Sequence, residues 1–478
     1  MRGARAPFTL QKNHKTLVTT RARVILRVNA MEETARLAES IRELLGSGRD
    51  ERLSNVLEDA HAADVSSVLR ELAVAEQVHV FRLLSRQQQG AVLAELDDAT
   101  RQELFRSLDE VEVSRVLERM PSEDVVEVVE ELPKEQADKL LDLMEEEKSE
   151  EVQELLEYAE GTAGRLMAPA FVAVHEESTV AQAIDHIRKS ASGDGAFYLY
   201  VVDDHDHLVG MVPLHRLLTA DPATPIRTIR SDDVQSVIVD TDQEEVARLV
   251  ERYDLLEVPV VDADRRLLGR IGVDDVIDVL REEATEDIQR LGGAAGDETV
   301  LDPPQAVFVK RLAWRFVNLG TAVLAASVIG LFESSIQSLA TLAVFMPIVA
   351  SMGGIGTTQT ATVVVRGIAL GEMTGAVLRR VLWKELWLGF TTGLANGIVI
   401  AVIAWAWKGQ LLLSFILGAA LVFNMMVAAV VGTLVPIALK VFRIDPAIAS
   451  SVIITTFTDV AGFFSFLGLS TLLIRFLL

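Results

Sequence analysis

The stretch "VSRVLERMPSEDVVEVVEELPKEQADKLLDLM", residues 113–144, repeats an apolar pattern every twelve residues. Leu117, Val129 and Leu141 occupy one position of this pattern, and each follows another aliphatic residue. The pattern continues towards the N-terminus with the pairs Val68 and Leu69, Val80 and Phe81, Val92 and Leu93, and Leu104 and Phe105. Apolar residues at i, i+1 and i+4 share one face of a helix. The period therefore predicts one short helix in every twelve residues.

A helix of about two turns cannot bury its apolar face alone. We therefore expect the units to stack as a superhelical α-helical repeat, which we assign to an N-domain over residues 36–160. A long coiled coil is disfavoured because its period would be about 7 or 11 residues, and because Pro121 and Pro133 interrupt the helix. Residues 1–35 form a basic N-terminal extension that we expect to be disordered, and Met31 is a natural start within it.

Residues 161–272 hold a second, longer repeat. "YVVDDHDHLVGMV" at 200–212 and "PVVDADRRLLGRI" at 259–271 align at a constant offset of 59 residues. The predicted helices before them align at an offset of 63, so the first copy holds four extra residues near "ASGDG". Helix, buried strand, turn and strand, twice over, resemble a tandem pair of CBS domains with an α/β fold.

The CBS resemblance makes nucleotide binding an alternative function. The family's ribose-binding signature is a hydroxyl residue after a glycine-led strand and an aspartate three residues later. Gly272 and Pro213 occupy the hydroxyl positions here, and Asp275 supplies the aspartate in the second copy alone. We therefore assign no nucleotide-binding residue, and ATP remains an alternative ligand.

Residues 273–300 form an acidic connecting segment. Its first part, "VDDVIDVLREEATEDIQRLGG", predicts one helix that ends at two glycines. Carboxylates recur along one side of this helix at Asp275, Asp278, Glu282, Glu283, Glu286 and Asp287. A solvated face is the alternative, but Arg281 and Arg290 are too few to relieve the repulsion between like charges. Oxygen-ligated divalent cations would relieve it, so the pattern favours a cation site.

The charge is distributed very unevenly along the chain. The 478 residues carry a formal net charge of −24, include no cysteine and are 50% hydrophobic. Residues 31–300 carry 27 bases and 63 acids, whereas residues 1–30 carry seven bases and no acid. Such an acid excess repels nucleic acid and attracts polyvalent cations. The absence of cysteine excludes disulfides and cysteine-ligated metal.

Residues 301–478 are predicted to form a transmembrane domain with five helices. Each apolar segment is close to or beyond the roughly 20 residues that cross a bilayer. The segments are 314–332, 336–356, 386–407, 411–439 and 447–477. Only "ESS" separates the first two, which predicts a tight hairpin. The flanking Lys and Arg residues place the acidic body in the cytoplasm and the C-terminus outside a plasma or inner membrane.

Spans two and four contain residues that simple anchoring does not require. "FMPIVASMGGIGTTQTATVVVRG", residues 345–367, holds Pro347, Gly353, Gly354, Gly356 and Gln359. These residues predict a broken helix whose free carbonyls face protein or water. Span four repeats this composition with Asn424, Gly432 and Pro436. By contrast, the glycines at 389, 393, 397 and 418 suit close helix packing.

Asp459 lies within the apolar run "ITTFTDVAGFFSFLG", residues 454–468. A charge at the centre of a spanning helix costs about 2.5–3.5 kcal/mol. Its distances from Pro446 and Arg475 are about 20 and 24 Å along a helix, close to mid-bilayer. Thr455 and its neighbouring threonines add hydroxyls, and the chain offers no base at this depth. A protonated, packed aspartate is the alternative, but the pattern favours an ionised Asp459 that faces a hydrated cation in a pore.

The sequence disfavours an enzyme. It contains no nucleophile–base constellation, and its eight histidines, all before residue 220, show no metal-ligand spacing. A secondary divalent-cation transporter and a membrane-anchored CBS nucleotide sensor remain alternatives to a channel. Five spans leave no even-numbered inverted repeat, which argues mildly against many transporter folds.

Over residues 36–478 the chain resembles the MgtE family of magnesium channels. "FTDVAGFF" is the most specific match and places Asp459 on the family's ion-selective pore aspartate. "VDDVIDVLREEATEDI" matches the family's plug helix, which implies regulatory Mg²⁺ sites at Asp275, Asp278, Glu283, Glu286 and Asp287. Asp124 in "SEDVVEVVEELP" matches a sensing aspartate of the N-domain. The resemblance also implies a homodimer in the lipid bilayer, with no nucleic-acid partner.

The mechanism that the resemblance implies is Mg²⁺ uptake through a pore that cytosolic Mg²⁺ closes. Mg²⁺ would be both the transported and the regulatory ion. We assign pore residues at Asp459, Gly353, Gly354, Gln359, Asn424 and Thr455. One departure concerns the pore lining, because "GGIGTTQ" places Ile355 and Thr357 where the family pattern G-G-N-x-G-x-Q has Asn and Gly.

Overall fold

The computed structural model describes residues 34–190, 197–300, 302, 304–373, 375–449 and 452–473. Most of the basic extension predicted for residues 1–35, and the extra residues near "ASGDG", therefore lie outside the described residues. The chain divides into two units, the first ending at Ile277 and the second beginning at Asp278.

The first unit opens with the predicted helical repeat. Residues 34–47 form α1. The helices that follow begin at intervals of twelve residues: α2 Asp50–Glu58, α3 Ala62–Leu69, α4 Val74–Leu83, α5 Arg86–Ala94, α6 Asp98–Ser107, α7 Glu110–Leu117, α8 Ser122–Glu130, α9 Lys134–Asp142 and α10 Glu146–Glu157. The structure thus confirms the predicted period.

Each helix of this repeat packs against its second neighbour. Helix α2 contacts α4, α3 contacts α5, and the same pairing continues to α8 and α10. Leu69 and Leu117, which share one position of the repeat, are fully buried. Polar contacts follow the same spacing, because Arg82 bonds Glu112 at 2.8 Å and the buried Arg101 bonds Glu131 at 3.1 Å. Stacking thus buries the faces that single helices could not.

The rest of the first unit consists of two similar α/β halves. Their elements are α11 Ala163–Leu166, β1 Ala173–His175, α12 Val180–Lys189, β2 Tyr198–Val202, β3 Leu208–Pro213 and α13 Leu214–Thr219, then a 3₁₀ turn Ile226–Thr228, β4 Val237–Ile238, α14 Gln243–Tyr253, β5 Glu257–Val261 and β6 Leu267–Gly272. In each half the first strand pairs in parallel and the last antiparallel with the middle strand. Tyr198 pairs with Pro213, and Glu257 pairs with Gly272, which confirms the offset of 59 residues.

A single helix, α15 Val273–Leu291, continues directly from β6. It ends as predicted, because Gly292 donates to the Ile288 carbonyl and Gly293 takes a φ of 78°. Only a residue that tolerates the left-handed region ends a helix in this way at low cost.

The second unit holds five helices that are long and apolar enough to cross a membrane. The helices of this unit are α16 Pro304–Gly330, α17 Glu333–Ser338, α18 Thr341–Ala369, α19 Gly375–Lys408, α20 Leu411–Val441, a 3₁₀ turn Pro446–Ala449 and α21 Val452–Leu472. The predicted hairpin at "ESS" is wrong, since these residues begin the short helix α17. The predicted break in span two is also wrong, because α18 runs unbroken through Pro347 and its glycines.

Glycines bring α19 and α20 into backbone contact. A methyl group at Gly397 would lie 2.8 Å from the Gly418 carbonyl oxygen, and one at Gly418 would lie 2.9 Å from the Gly397 oxygen. Gly389 and Gly393 face the α20 backbone at Met425 and Val422 in the same way. The predicted packing role of these glycines is therefore confirmed.

Candidate functional site

Asn424 is a fully buried amide in the middle of α20. Its Nδ2 donates to the Val349 carbonyl of α18 at 2.9 Å. Among the described residues, its Oδ1 is buried without a hydrogen-bond partner. A buried acceptor without a partner costs about 1–3 kcal/mol. Such a cost marks Asn424 as a residue held for its chemistry rather than for packing.

Glycines make the room that this amide occupies. Added methyl groups at Gly353 of α18 and at Gly462 of α21 would collide with the Asn424 side chain. Thr458, also fully buried, borders the same space from α21. The glycines that suggested a broken span two therefore serve to admit Asn424 between two neighbouring helices.

Asp459 follows Thr458 on α21 and is half-buried. Thr455 lies one turn before it, on the same side of the helix, and its methyl group approaches Gly354 of α18. The described residues include no hydrogen-bond or ion-pair partner for Asp459. We name Gly353, Gly354, Asn424, Thr455 and Asp459 the membrane site, since the structure brings these five predicted residues together.

The predicted depth of Asp459 needs correction. Helix α21 begins at Val452, and Pro446 belongs to a separate 3₁₀ turn. Asp459 is therefore seven residues, about 10 Å, from the first residue of its helix. On the orientation predicted from the basic residues, it lies nearer the cytoplasmic end than the centre of the helix.

Gln359 does not join the membrane site in this chain. It is exposed, as is Ile355, whose exposed fraction is 52%. Both residues lie on a face of α18 away from Asn424, whereas Gly353 and Thr357 are buried. The departures at Ile355 and Thr357 thus affect different surfaces, and Thr357 donates its hydroxyl to the Gly353 carbonyl at 2.8 Å.

Glu385 is a membrane-half carboxylate that the sequence reasoning missed. It lies ten residues into α19, is 7% exposed and accepts a hydrogen bond from Thr360 of α18 at 3.1 Å. Lys384 approaches it at 3.2 Å. A lone acid among apolar residues was the signal, but the neighbouring bases made it look like part of a loop.

A second arrangement of carboxylates lies in the first unit, where two helices begin. Glu123 and Asp124 occupy the first turn of α8, and Asp274 and Asp275 occupy the first turn of α15. We name these four residues the acidic cluster. Asp124 lies close to the start of α15, because its carboxylate is among the charges that raise the pKa of Asp275.

Ionisation is unfavourable within the acidic cluster. Burial, together with the neighbouring carboxylates of Glu123, Glu127 and Asp274, raises the pKa of Asp124 to about 7. Burial and the adjacent Asp274 raise the pKa of Asp275 to about 7, although the Gly272 N–H donates to its Oδ2 at 3.0 Å. Lys148 favours the ionised form of Asp124 without outweighing these effects. A bound divalent cation would lower both pKa values.

The other predicted regulatory residues lie further along α15, in the second unit. Asp278 is exposed, and Glu283, Glu286 and Asp287 are half-buried. Burial raises the pKa of Glu286, against the effect of Arg290, which pairs with it. Arg290 also pairs with Asp445, in the connection between α20 and α21. Asp445 is a further partner that the sequence reasoning missed.

Comparison with known families assigns most of the chain. The model of the MgtE family, described as a divalent cation transporter, matches residues 346–469. The MgtE intracellular N domain matches residues 60–161. CBS domains match residues 163–223 and 226–282.

Individual relatives agree with these matches. The magnesium transporter MgtE of Thermus thermophilus is 36% identical over 321 residues, which cover 66% of this chain and 71% of the relative. The magnesium transporter MgtE of Bacillus subtilis is 33% identical over 319 residues, with the same shares of each chain. A crystal structure of the cytosolic domain of the Mg²⁺ channel MgtE in complex with ATP is similar at 36% identity, with a TM-score of 0.49; it covers 51% of this chain and 99% of that one.

Proposed function

Because this chain belongs to the MgtE family of divalent cation transporters, we propose that it is an Mg²⁺-selective channel closed by cytosolic Mg²⁺. The observation that carries the proposal is Asp459, a half-buried acid of an apolar helix that lacks a basic partner among the described residues. A cation in transit would supply the missing charge. The relatives are magnesium transporters, a class without catalytic activity.

The membrane site supports passage of a hydrated ion. It offers one carboxylate, one threonine hydroxyl and an amide oxygen that has no partner among the described residues, all oxygen donors that suit Mg²⁺ or its water shell. Mg²⁺ sheds water reluctantly, so in this proposal the ion passes largely hydrated. A membrane potential of 100 mV contributes about 2.3 kcal/mol per charge, so inward flow requires no coupled ion.

A homodimer completes the pore in this proposal. Gly354, Thr455 and Asp459 are all partly exposed in the single chain, so a second copy could face them. Two such faces on one axis would place two copies of Asp459 around the ion. The C-terminus would then lie outside the membrane and the acidic body in the cytoplasm.

The acidic cluster is the proposed sensor. Its donors are carboxylate oxygens, which fit Mg²⁺, and the raised pKa values of Asp124 and Asp275 show that ionisation without a cation is costly. Mg²⁺ bound there would hold the start of α8 against the start of α15. ATP is not part of the proposal, because Gly272 and Pro213 occupy the positions where the ribose-binding signature has hydroxyl residues.

The test is a recording of single-channel currents from the full chain in a planar bilayer at fixed potential. We expect unitary Mg²⁺ currents that close when millimolar Mg²⁺ is added to the cytoplasmic side. Asp459→Asn should abolish the currents, whereas Glu333→Gln, at an exposed residue of the short helix α17, should leave them unchanged. Proton-coupled flux without unitary openings would refute the channel and favour a secondary transporter.

Mg²⁺ sensing is tested separately by limited proteolysis. Millimolar Mg²⁺ should protect residues 270–300 in both the native chain and Asp459→Asn, because sensing does not use the membrane site. Unchanged cleavage would refute the sensor while leaving the channel proposal intact.

A further inference from the structure

The turn between β2 and β3 is held by Asp203. Its Oδ1 accepts the backbone N–H groups of His205 and His207, each at 2.9 Å. Asp206 takes the left-handed conformation, with a φ of 62°. The side chains of His205 and His207 do not take part in these backbone bonds.

The second CBS copy builds the same turn without histidine. Asp262 accepts the N–H groups of Asp264 at 2.9 Å and Arg266 at 2.8 Å. Arg265 takes the left-handed conformation there, with a φ of 66°. The turn therefore requires the first aspartate and a left-handed residue, and it does not require the two histidines.

The side chains of the first turn converge instead. The rings of His205 and His207 stack with centroids 5.7 Å apart and planes 20° apart. Nδ1 of His207 lies 3.0 Å from Oδ2 of Asp203. One ligand atom from each of Asp203, His205 and His207 lies within 4.8 Å of the other two. We name these three residues the hairpin-tip cluster.

The sequence prediction that the histidines lack metal-ligand spacing is wrong at this turn. His205 and His207 are two residues apart, and the chain between them turns at the left-handed Asp206. Their rings stack on each other, and Nδ1 of His207 lies beside Oδ2 of Asp203. The spacing is thus short because one tight turn supplies all three groups.

We propose that the hairpin-tip cluster binds a divalent transition-metal ion such as Zn²⁺ or Co²⁺. Two imidazoles and one carboxylate are the donors that such ions prefer, whereas Mg²⁺ prefers oxygen alone. The ion takes the place of the hydrogen bond between His207 and Asp203, and water fills the fourth position. Tetrahedral donors around Zn²⁺ lie about 3.3 Å apart, so the ligand atoms of the cluster need to approach one another by at most about 1.5 Å.

Charges around the hairpin-tip cluster favour binding of this ion, and contacts around the cluster predict what the bound ion would do. Asp204, which also pairs with His175, and Asp206 add negative charge in the same turn. Of the nearby bases Arg230, Arg265 and Arg266, Arg230 is already paired with Glu176 and Asp232. The two hairpin tips bond each other, since Leu208 donates to the Arg265 carbonyl at 2.9 Å. A metal that tightens the first tip would stiffen the junction between the two CBS copies.

The test uses the full chain without a polyhistidine tag, in detergent and in millimolar Mg²⁺, so that oxygen-only sites are already filled. Equilibrium dialysis should find one tightly bound Zn²⁺ per chain, and Co²⁺ should give the visible absorption of a tetrahedral complex. H205A/H207A should weaken binding by about tenfold or more. H186A/H215A, which removes two exposed histidines elsewhere, should bind as the native chain does.

A gain of binding completes the test. D264H/R266H installs the same residues on the second turn, beside Asp262, and should raise the stoichiometry to two ions per chain. Equal Zn²⁺ binding by the native chain and H205A/H207A would overturn the proposal. A single ion bound by D264H/R266H, with thermal unfolding like that of the native chain, would also overturn it, because this turn would then not suffice to build the site.

Discussion

Where α8 and α15 begin, four carboxylates share a small space beside Lys148, whereas Asp459 in α21 stands alone among neutral oxygens. Several carboxylates around one ion bind it firmly, which suits a sensor that must fill at a set concentration. One carboxylate with an amide and hydroxyls binds it more weakly. Conduction requires such weak binding, because the ion must also leave. The contrast suggests that the number of carboxylates at each site sets how firmly it binds the ion, and therefore whether the site senses the ion or lets it pass.

After the complete loss of current expected for Asp459→Asn, the largest effect should come from removing the neutral oxygen of the membrane site. Leu has nearly the shape of Asn, so Asn424→Leu keeps the packing between Gly353 and Gly462 but deletes the Oδ1 without a partner. We expect Mg²⁺ flux into proteoliposomes to fall by about ten- to a hundredfold, as for the loss of an outer-shell metal partner. The midpoint of thermal unfolding should change little, because removal of the unfavourable buried acceptor offsets the loss of the Nδ2 hydrogen bond to the Val349 carbonyl.

The matched control for this variant is Asn396→Leu in α19, whose amide donates to the Thr392 carbonyl within its own helix. Its flux should be unchanged. Normal flux through Asn424→Leu would contradict a role for the amide in the ion path.

The next largest effect is expected from substitutions that weaken cation binding by the acidic cluster. Replacing both Asp124 and Asp275 by Asn removes two carboxylates and the repulsion between them. The Mg²⁺ concentration that half-closes the channel should rise by about tenfold, within the usual range of coupling energies. The maximal current should not change. The control D138N/D142N removes two exposed acids of α9 and should leave closure as it was; a shift of equal size in the control would assign the effect to net charge alone.

A smaller effect is expected from pH. The folded chain holds protons on Asp124 and Asp275 up to a pKa of about 7, whereas the ordinary carboxyl pKa is 3.8. The protons bound only by the folded state stabilise it below that range, and this stabilisation is lost as pH rises from about 4 through 7. Without Mg²⁺, hydrogen exchange of α8 amides should therefore be faster at pH 8 than at pH 6 by several-fold beyond the intrinsic rate change.

Mg²⁺ should reverse this difference, since a cation replaces the protons. The facing groups Glu123, Glu127, Asp274 and Lys148 stay in place in D124N/D275N, which should lose most of the pH dependence. Exchange in D124N/D275N as steep with pH as in the native chain would assign the titration to other groups.

The smallest effect concerns Arg290 and its two partners. The side chains of Arg290 and Asp445 are each 28% exposed, so their ion pair contributes about 0.5–1 kcal/mol. Arg290→Gln and Asp445→Asn should each shift half-closure by about two- to fivefold. In a double-mutant cycle the two effects should be non-additive. Additive effects would show that the pair does not couple α15 to the connection between α20 and α21.

The two regions differed in how far the sequence alone could predict them. The twelve-residue helices followed from their own apolar faces, and α15 ended at its glycines, because both features are local. Gly353 was misread as a site of helix breakage, since its partner Asn424 is distant in sequence. The local sequence shows where a glycine lies, but it does not show whether that glycine bends its own helix or makes room for a side chain of a neighbouring helix.

The two acids of the membrane half also differed in how well the sequence predicted their roles. Asp459 was conspicuous because its neighbours are apolar, whereas Glu385 was hidden by the bases before it. Glu385 is buried beside α18, a different helix, where Thr360 donates a hydrogen bond to it. Likewise, His205 and His207 were dismissed by spacing, and only the tight turn around Asp203 shows that their rings converge.

The mutual contact of Gly397 and Gly418 limits how the membrane half can move. With carbonyl oxygens filling the space that a methyl group would need, α19 and α20 can neither roll nor slide without a collision of main chains. These two helices therefore form a rigid pair. Helix α16 is far less restrained, because only 6% of the residues in its span are buried. If the chain is the channel proposed above, the movement that opens a passage beside Asp459 should thus come from α16, which packs against α21.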